Sequence, residues 1–253
     1  MNKKVHKITP VFIEDEKLLV KPIKDDDIYD SINIDPAFPQ HPFLAYIPGP
    51  TSAGKSTVCQ FLIAEPYNKF FDKIFIISAT IKKDRSWKKF KFDPDRVFEF
   101  YTDDTFRQIV NEIEGSEDEK CLIIIDDMTA QNIFNGNNEL CRFIAVHRHS
   151  PAKYPPNICG TSLIVISHQY KAIQPKMRGL MSEILVFKLR SDEELDAIMD
   201  DCKGLELTRK EFREMYLTAT KGKYNFLYIK KKDENPFRIN FNIILKIEEE
   251  IIM

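Results

Sequence analysis

Residues 49 to 56 read Gly-Pro-Thr-Ser-Ala-Gly-Lys-Ser: a glycine, four residues, a second glycine, then lysine and serine. This is the phosphate-binding loop pattern, and it constrains the fold because each fixed position has a physical job. Gly49 and Gly54 permit a tight turn and close approach of the backbone to a phosphate. The amides of Pro50, Thr51, Ser52 and Ala53 belong to a segment that can curl into an anion nest, proline contributing shape only. Lys55 supplies a point charge, Ser56 a hydroxyl for Mg²⁺, and Thr57 continues the first turn of a helix whose positive dipole end meets the same phosphates.

Such a loop must follow a strand and open a helix. Phe43 to Ile47 is a short apolar run suited to a buried strand. Thr57 to Ala64 contains no helix breaker before Pro66. Val58, Phe61, Leu62 and Cys59 fall on one helical face. A glycine- and serine-rich surface turn would need neither flank.

The rest of the chain alternates in kind. Strands are expected at Lys73–Ser78, Cys121–Ile125, Ser162–Ile166 and Ile184–Phe187. Helices are expected at Asp104–Ile113, Glu139–Val146, Asp192–Met199 and Arg209–Tyr216. Tyr224–Ile229 and Phe237–Phe241 suit a terminal hairpin. Buried strands alternating with helices predict an α/β fold with a mostly parallel sheet and helices on both faces. Three parts are expected: an extension over residues 1–40, laid against the core; a core over 41–220; and a hairpin and tail over 221–253.

Cys121-Leu122-Ile123-Ile124-Ile125-Asp126-Asp127 is the second strong signal. Ligands of parallel sheets sit at the carboxyl ends of strands. Asp126 would hold Mg²⁺, and Asp127 would orient or deprotonate an attacking water. A buried carboxylate without a partner is costly, which argues for a purpose. The third signal is Leu163 to Gln169, another apolar strand with a polar end, where Gln169 or Ser167 could hold the water or sense a γ-phosphate. Arg148 and Arg178 are candidates for a cation delivered to a neighbouring subunit's transition state.

Residues 82 to 91 hold six cations, one acid, Trp87 and Phe90. That composition suits a nucleic-acid contact, and equally a solvated loop with one buried ring. The spacing of Cys141, His147, His149 and Cys159 fits no common structural zinc pattern.

Net charge is −2 over 253 residues, so any nucleic-acid contact must come from local patches. Five cysteines without a Cys-x-x-Cys suggest free thiols in a reducing compartment. No apolar run approaches the ~20 residues that span a bilayer, and no apolar signal core follows the N-terminus.

Together these blocks resemble the DNA-packaging ATPases of large double-stranded DNA viruses and virophages, the poxvirus-like branch of the FtsK–HerA superfamily. The resemblance is carried by residues 49–56, 123–127, Arg148-His149, 162–169 and 175–178, in that order, and covers about residues 43 to 200. It implies an additional-strand P-loop fold with the Gln169 strand between the phosphate-loop and Asp126 strands. It implies ATP and Mg²⁺ as ligands, with Lys55, Ser56, Asp126, Asp127 and Gln169 as the nucleotide-site set. On the same ground the resemblance favours Arg148 over Arg178 as the trans-acting arginine. It further implies a homo-oligomeric ring, pentamer or hexamer, that pumps double-stranded DNA into a preformed viral capsid, in the virion or a cytoplasmic viral factory. Relatives outside the viral branch often carry glutamate where Asp127 stands. Two other functions fit a phosphate loop: a small-molecule kinase, and a nucleotide-binding capsid-assembly scaffold without turnover. The guanine-reading Asn-Lys-x-Asp and the cassette-transporter signature Leu-Ser-Gly-Gly-Gln are absent.

Overall fold

Apolar residues in the strand segments come in unbroken runs, so both faces of each strand must be covered. The computed structural model describes residues 4–12, 34–116, 119–128, 131, 133–134, 136–150, 160–205 and 207–251. Its strands are β1 (Lys4–Phe12), β2 (Leu44–Pro48), β3 (Lys73–Ser78), β4 (Val97–Phe98), β5 (Cys121–Asp126), β6 (Thr161–Ser167), β7 (Glu183–Phe187), β8 (Phe226–Lys230), β9 (Phe237–Ile239) and β10 (Ile243–Ile251). Its helices are α1 (Lys55–Ala64), α2 (Asp103–Glu114), α3 (Glu139–Val146), α4 (Pro175–Leu180), α5 (Asp192–Asp201) and α6 (Arg209–Ala219).

All ten strands form one sheet, in the order β1-β10-β9-β8-β7-β2-β6-β5-β3-β4. The stretch from β7 to β4 is parallel. The stretch from β8 to β1 is antiparallel. As expected, β6 lies between β2 and β5.

Strand parity sorts the core into two layers. Leu44, Tyr46, Ile123, Ile125, Leu163 and Val165 pack with residues of α2, α3, α5 and α6. Ala45, Ile47, Leu122, Ile124, Ile164 and Ile166 pack on the other face with α1, Tyr67, Phe71, Trp87 and Phe241. Full burial of each such side chain is worth about 1.5–3 kcal/mol. Helix α1 buries Val58, Cys59, Phe61 and Leu62 as expected, and also Gln60 and Ile63.

The terminal segments differ in detail from expectation. Residues 4–12 form an edge strand that pairs with β10. The β8–β9 hairpin then continues through β10, so the tail and the N-terminal strand extend the same sheet. Leu18 to Val20 and Asp25 to Asp27 lie outside the described residues.

A candidate nucleotide site at the carboxyl edge

Register builds the site. Pro48 is level with Ser167, Ile166 with Asp126, and Asp126 with Ser78. The segments that follow β2, β6, β5 and β3 therefore leave the sheet at one edge. They line a cleft of ≈ 300 Å³ with Thr51 to Thr57, Thr80, Asp84, Ser86, Asp126, Asp127, Ser167 and His168.

The loop's shape explains its glycines. Gly49 N–H donates to the Ser167 carbonyl at 3.1 Å. A Cβ on Gly49 would stand 2.8 Å from the Phe187 Cβ, so only glycine fits. Gly54 has φ +104°, the left-handed region that glycine enters without cost, and caps α1 with no side-chain hydrogen bond. Helices α2, α3, α5 and α6 each have a polar side chain at the N-cap that accepts a backbone N–H. The N-terminus of α1 is thus left with amide donors for an anion.

Three side chains of opposite character are wired together here. Lys55 is buried, and its ammonium donates to the Pro50 carbonyl at 2.9 Å. It also lies 3.3 Å from His168 Nδ1. Lysine only donates, so Nδ1 accepts and the proton sits on Nε2. That Nε2 lies 2.9 Å from Asp127 Oδ1 and donates to it. Asp127 has φ +55°, a conformation that costs about 1–2 kcal/mol outside glycine and turns the chain sharply away from β5.

Asp126 follows Leu122 and Ile124 in parity and so falls on the α1 face of the sheet. Burial, reinforced by the neighbouring Asp127 charge, pushes its carboxyl up to about 6 despite Lys55 nearby. Burial also lowers Lys55, against the pull of both aspartates. The Trp87 indole N–H lies close enough to favour the Asp126 carboxylate, yet is buried with no hydrogen bond of normal geometry. These features form a hard-oxygen, anionic spot short of positive charge, which fits Mg²⁺ held by one or two protein oxygens plus phosphate. Among the described residues no cluster of three or more metal-ligating side chains occurs; a phosphate-bound Mg²⁺ does not need one.

Of the residues singled out by sequence, the cleft gathers Thr51 to Thr57, Asp126, Asp127 and Ser167. Gln169 is exposed one residue beyond the lining, its carbonyl held by the Tyr46 and Ser167 hydroxyls at 2.7 Å. His168 takes the cleft position; the signal for it was its place at the end of a buried strand. Arg148 is exposed at the opposite end of the strands, beside Gln40, Pro42 and Glu183. Arg178 is buried: its Nε donates to Asp201 Oδ2 at 2.7 Å and Nη1 to the Ile173 carbonyl at 2.9 Å. Its charge is met within its own chain and is not available to a neighbour.

Trp87 is buried among Phe90 and Phe92, so it anchors the 82–91 segment from within, while the six cations stay exposed. His147 donates Nδ1–H to the Thr161 carbonyl, 2.8 Å away, and burial pushes it down to about 4. Cys159 lies outside the described residues; Cys59, Cys121, Cys141 and Cys202 are free and buried.

No family model and no curated protein matches the chain. Solved structures do. The genome packaging NTPase B204 of Sulfolobus turreted icosahedral virus 2, in complex with AMP, aligns with TM-score 0.56 at 15% identity, over 84% of this chain and 98% of that one. Its complex with AMPPCP aligns with TM-score 0.55 at 16% identity, over 83% and 98%. B204 of Sulfolobus turreted icosahedral virus, described as a DNA-packaging ATPase, gives TM-score 0.57 at 16% identity, over 85% and 100%. With the phosphate-loop pattern at the carboxyl edge of a sheet in this strand order, the chain has the P-loop NTPase fold that B204 also has.

Proposed function

We propose that this chain is an ATP-driven motor that hydrolyses ATP with Mg²⁺ and translocates double-stranded DNA into a viral capsid. The observation that carries the hydrolytic part is the convergence of Lys55, Asp126, Asp127 and His168 on one cleft. The translocation part rests on the fold shared with B204, a genome-packaging NTPase, and on the resemblance of the sequence blocks.

The loop of Gly49, Pro50, Thr51, Ser52, Ala53 and Gly54 cradles the phosphates with Ser56 and Thr57, and Lys55 neutralises the β- and γ-groups. Ser56 and Asp126 would hold Mg²⁺, which would supply charge neutralisation for the phosphates. Asp127 accepts a proton from, or orients, the attacking water. His168 keeps the Asp127 carboxylate aimed by donating Nε2–H to it. A γ-phosphate competes with Pro50 and His168 for the Lys55 ammonium, so its arrival is transmitted to Asp127 through the imidazole. Gln169, exposed beside this group, is assigned the γ-phosphate sensing role that the sequence blocks imply. Arg148 cannot reach its own cleft, as it stands at the other end of the strands; a charge from there serves only the next subunit of a ring.

The test is phosphate release with and without duplex DNA, with oligomer size measured on the same sample. DNA-stimulated release that Lys55→Ala and Asp127→Asn both abolish is expected. Undiminished stimulated turnover in both variants would sink the reading. Phosphate transfer to a nucleoside without DNA stimulation would mark a kinase instead, and tight ATP binding with no release a scaffold.

A further inference from the structure

Strand order gives the cleft a direction. The groups suited to the γ-phosphate, Asp126, Asp127 and His168, belong to β5 and β6, on one side of the phosphate-loop strand β2. A nucleoside triphosphate is elongated, so its nucleoside end must leave the loop on the other side, toward β7 and β8. The carboxyl end of β7 is Phe187, and the loop 220–225 enters β8 at the same edge.

That loop carries Tyr224. A Cβ built on Gly54 would meet the Tyr224 ring at 3.5 Å and the Phe187 ring at 3.5 Å, so both rings flank the phosphate loop itself. Phe187 is buried, its ring tilted against Phe226 with centroids 5.3 Å apart, and serves the core. Tyr224 is 57% exposed. It is an aromatic that faces solvent beside the loop, and the Lys223 ammonium lies 4.8 Å over one face of its ring, so a base stacks on the other face or displaces that lysine.

The ring is held there at a cost. Tyr224 has φ +67°, unusual for a bulky residue. The surrounding turn enforces it: Asn225 N–H donates to the Gly222 carbonyl at 3.2 Å, Asn240 Nδ2 to Asn225 Oδ1 at 3.3 Å, and Phe226 N–H to Asn240 Oδ1 at 3.2 Å. Strain maintained by a braced turn, with an exposed ring as its product, is the pattern of a pre-organised contact.

We infer that Tyr224 is the platform on which the base of the bound nucleotide stacks. The inference rests on the proposed nucleotide-binding reading and deepens it. Every base presents a π-face, so Tyr224 supplies affinity without selecting among bases. The hydroxyl is not needed for stacking. Loss of the ring should weaken binding by roughly 5- to 150-fold, the usual range for one base on one aromatic ring.

Tyr224→Gly is the informative variant, because glycine takes φ +67° without strain and the fold is retained. Binding of AMPPCP with Mg²⁺ and of inorganic tripolyphosphate, which has no base, is measured by calorimetry for the wild-type chain, Tyr224→Gly and Tyr224→Phe. Expected is a loss of AMPPCP affinity in the glycine variant, near-wild-type affinity in the phenylalanine variant, and tripolyphosphate affinity alike in all three. Unchanged AMPPCP affinity in Tyr224→Gly overturns the inference and leaves the nucleotide reading standing. An equal loss for tripolyphosphate overturns it too, showing a distorted phosphate loop. If the wild-type chain binds neither ligand, the nucleotide reading itself fails.

Discussion

The two ends of the sheet each bury a carboxylate, and they treat it differently. At the amino end of β7, Glu183 is pushed up to about 7 by burial, but the Tyr228 hydroxyl donates to it at 2.7 Å and Lys230 and Arg238 favour its charge. At the carboxyl end of β5, Asp126 is pushed up to about 6, its neighbour Asp127 adds like charge, and Lys55 is engaged by Pro50 and His168. At the first end the chain itself supplies a hydroxyl donor and two cations. The other leaves a deficit of positive charge beside uncapped helix amides. Buried charge is tolerated in either form, but only the second form invites a cationic ligand and the anion that accompanies it.

The strongest way to break this contrast lies in a charge already answered. Arg178 is paired with Asp201, bonded to the Ile173 carbonyl and placed 4.8 Å over the Tyr170 ring. Arg178→Ala should destabilise the fold by about 3–5 kcal/mol, since Asp201 loses its cationic partner and keeps only the Tyr170 hydroxyl; denaturant unfolding measures this. A loss below about 1 kcal/mol would mean that the guanidinium is not structural after all.

Next is Lys55→Ala, which should lower steady-state phosphate release by about 100-fold or more through lost stabilisation of transferred charge, while stability changes little.

Asp126→Asn tests the deficit itself. A carboxyl raised from about 4 to about 6 on folding favours the folded state fully below pH ~4, and that contribution is lost as pH rises through about 6. The variant should therefore gain up to about 3 kcal/mol over wild type at pH 7 without ligand, and nothing at pH 4. Thermal unfolding across that range checks the sign. With Mg²⁺ and AMPPCP present the advantage should vanish, because the wild-type carboxylate then has its cation. Glu183→Gln should show no such ligand dependence.

The smallest effect is expected for His168→Ala. Losing the imidazole between Lys55 and Asp127 should slow turnover by about tenfold, the equivalent of one charge-assisted hydrogen bond. The pH dependence of the residual rate, compared with wild type, separates aiming of Asp127 from simple loss of packing.

Much of the fold was legible because its signals are local. β3 and α3 begin and end where their apolar runs predict, and β5, β6 and β7 differ by a residue or so at their ends. The loop at 49–56 and the paired aspartates were readable for the same reason: each is a contiguous pattern at the end of an apolar strand. Residues 82–91 were ambiguous in composition, and burial of Trp87 resolves half of that ambiguity. The edge pairing of β1 with β10 joins segments about 240 residues apart and has no local signature.

By itself, then, the sequence determined most element types, the phosphate-loop pattern and the paired carboxylates at the end of β5, because hydrophobic period and glycine placement act over a few residues. Tertiary structure decided which polar end meets which. It set His168 in the cleft and Gln169 outside it, turned Arg178 inward, carried Arg148 to the far end of the strands, and brought Tyr224 beside Gly54. Those placements depend on strand register and on burial against partners distant in the chain, and neither is encoded in any short stretch of residues.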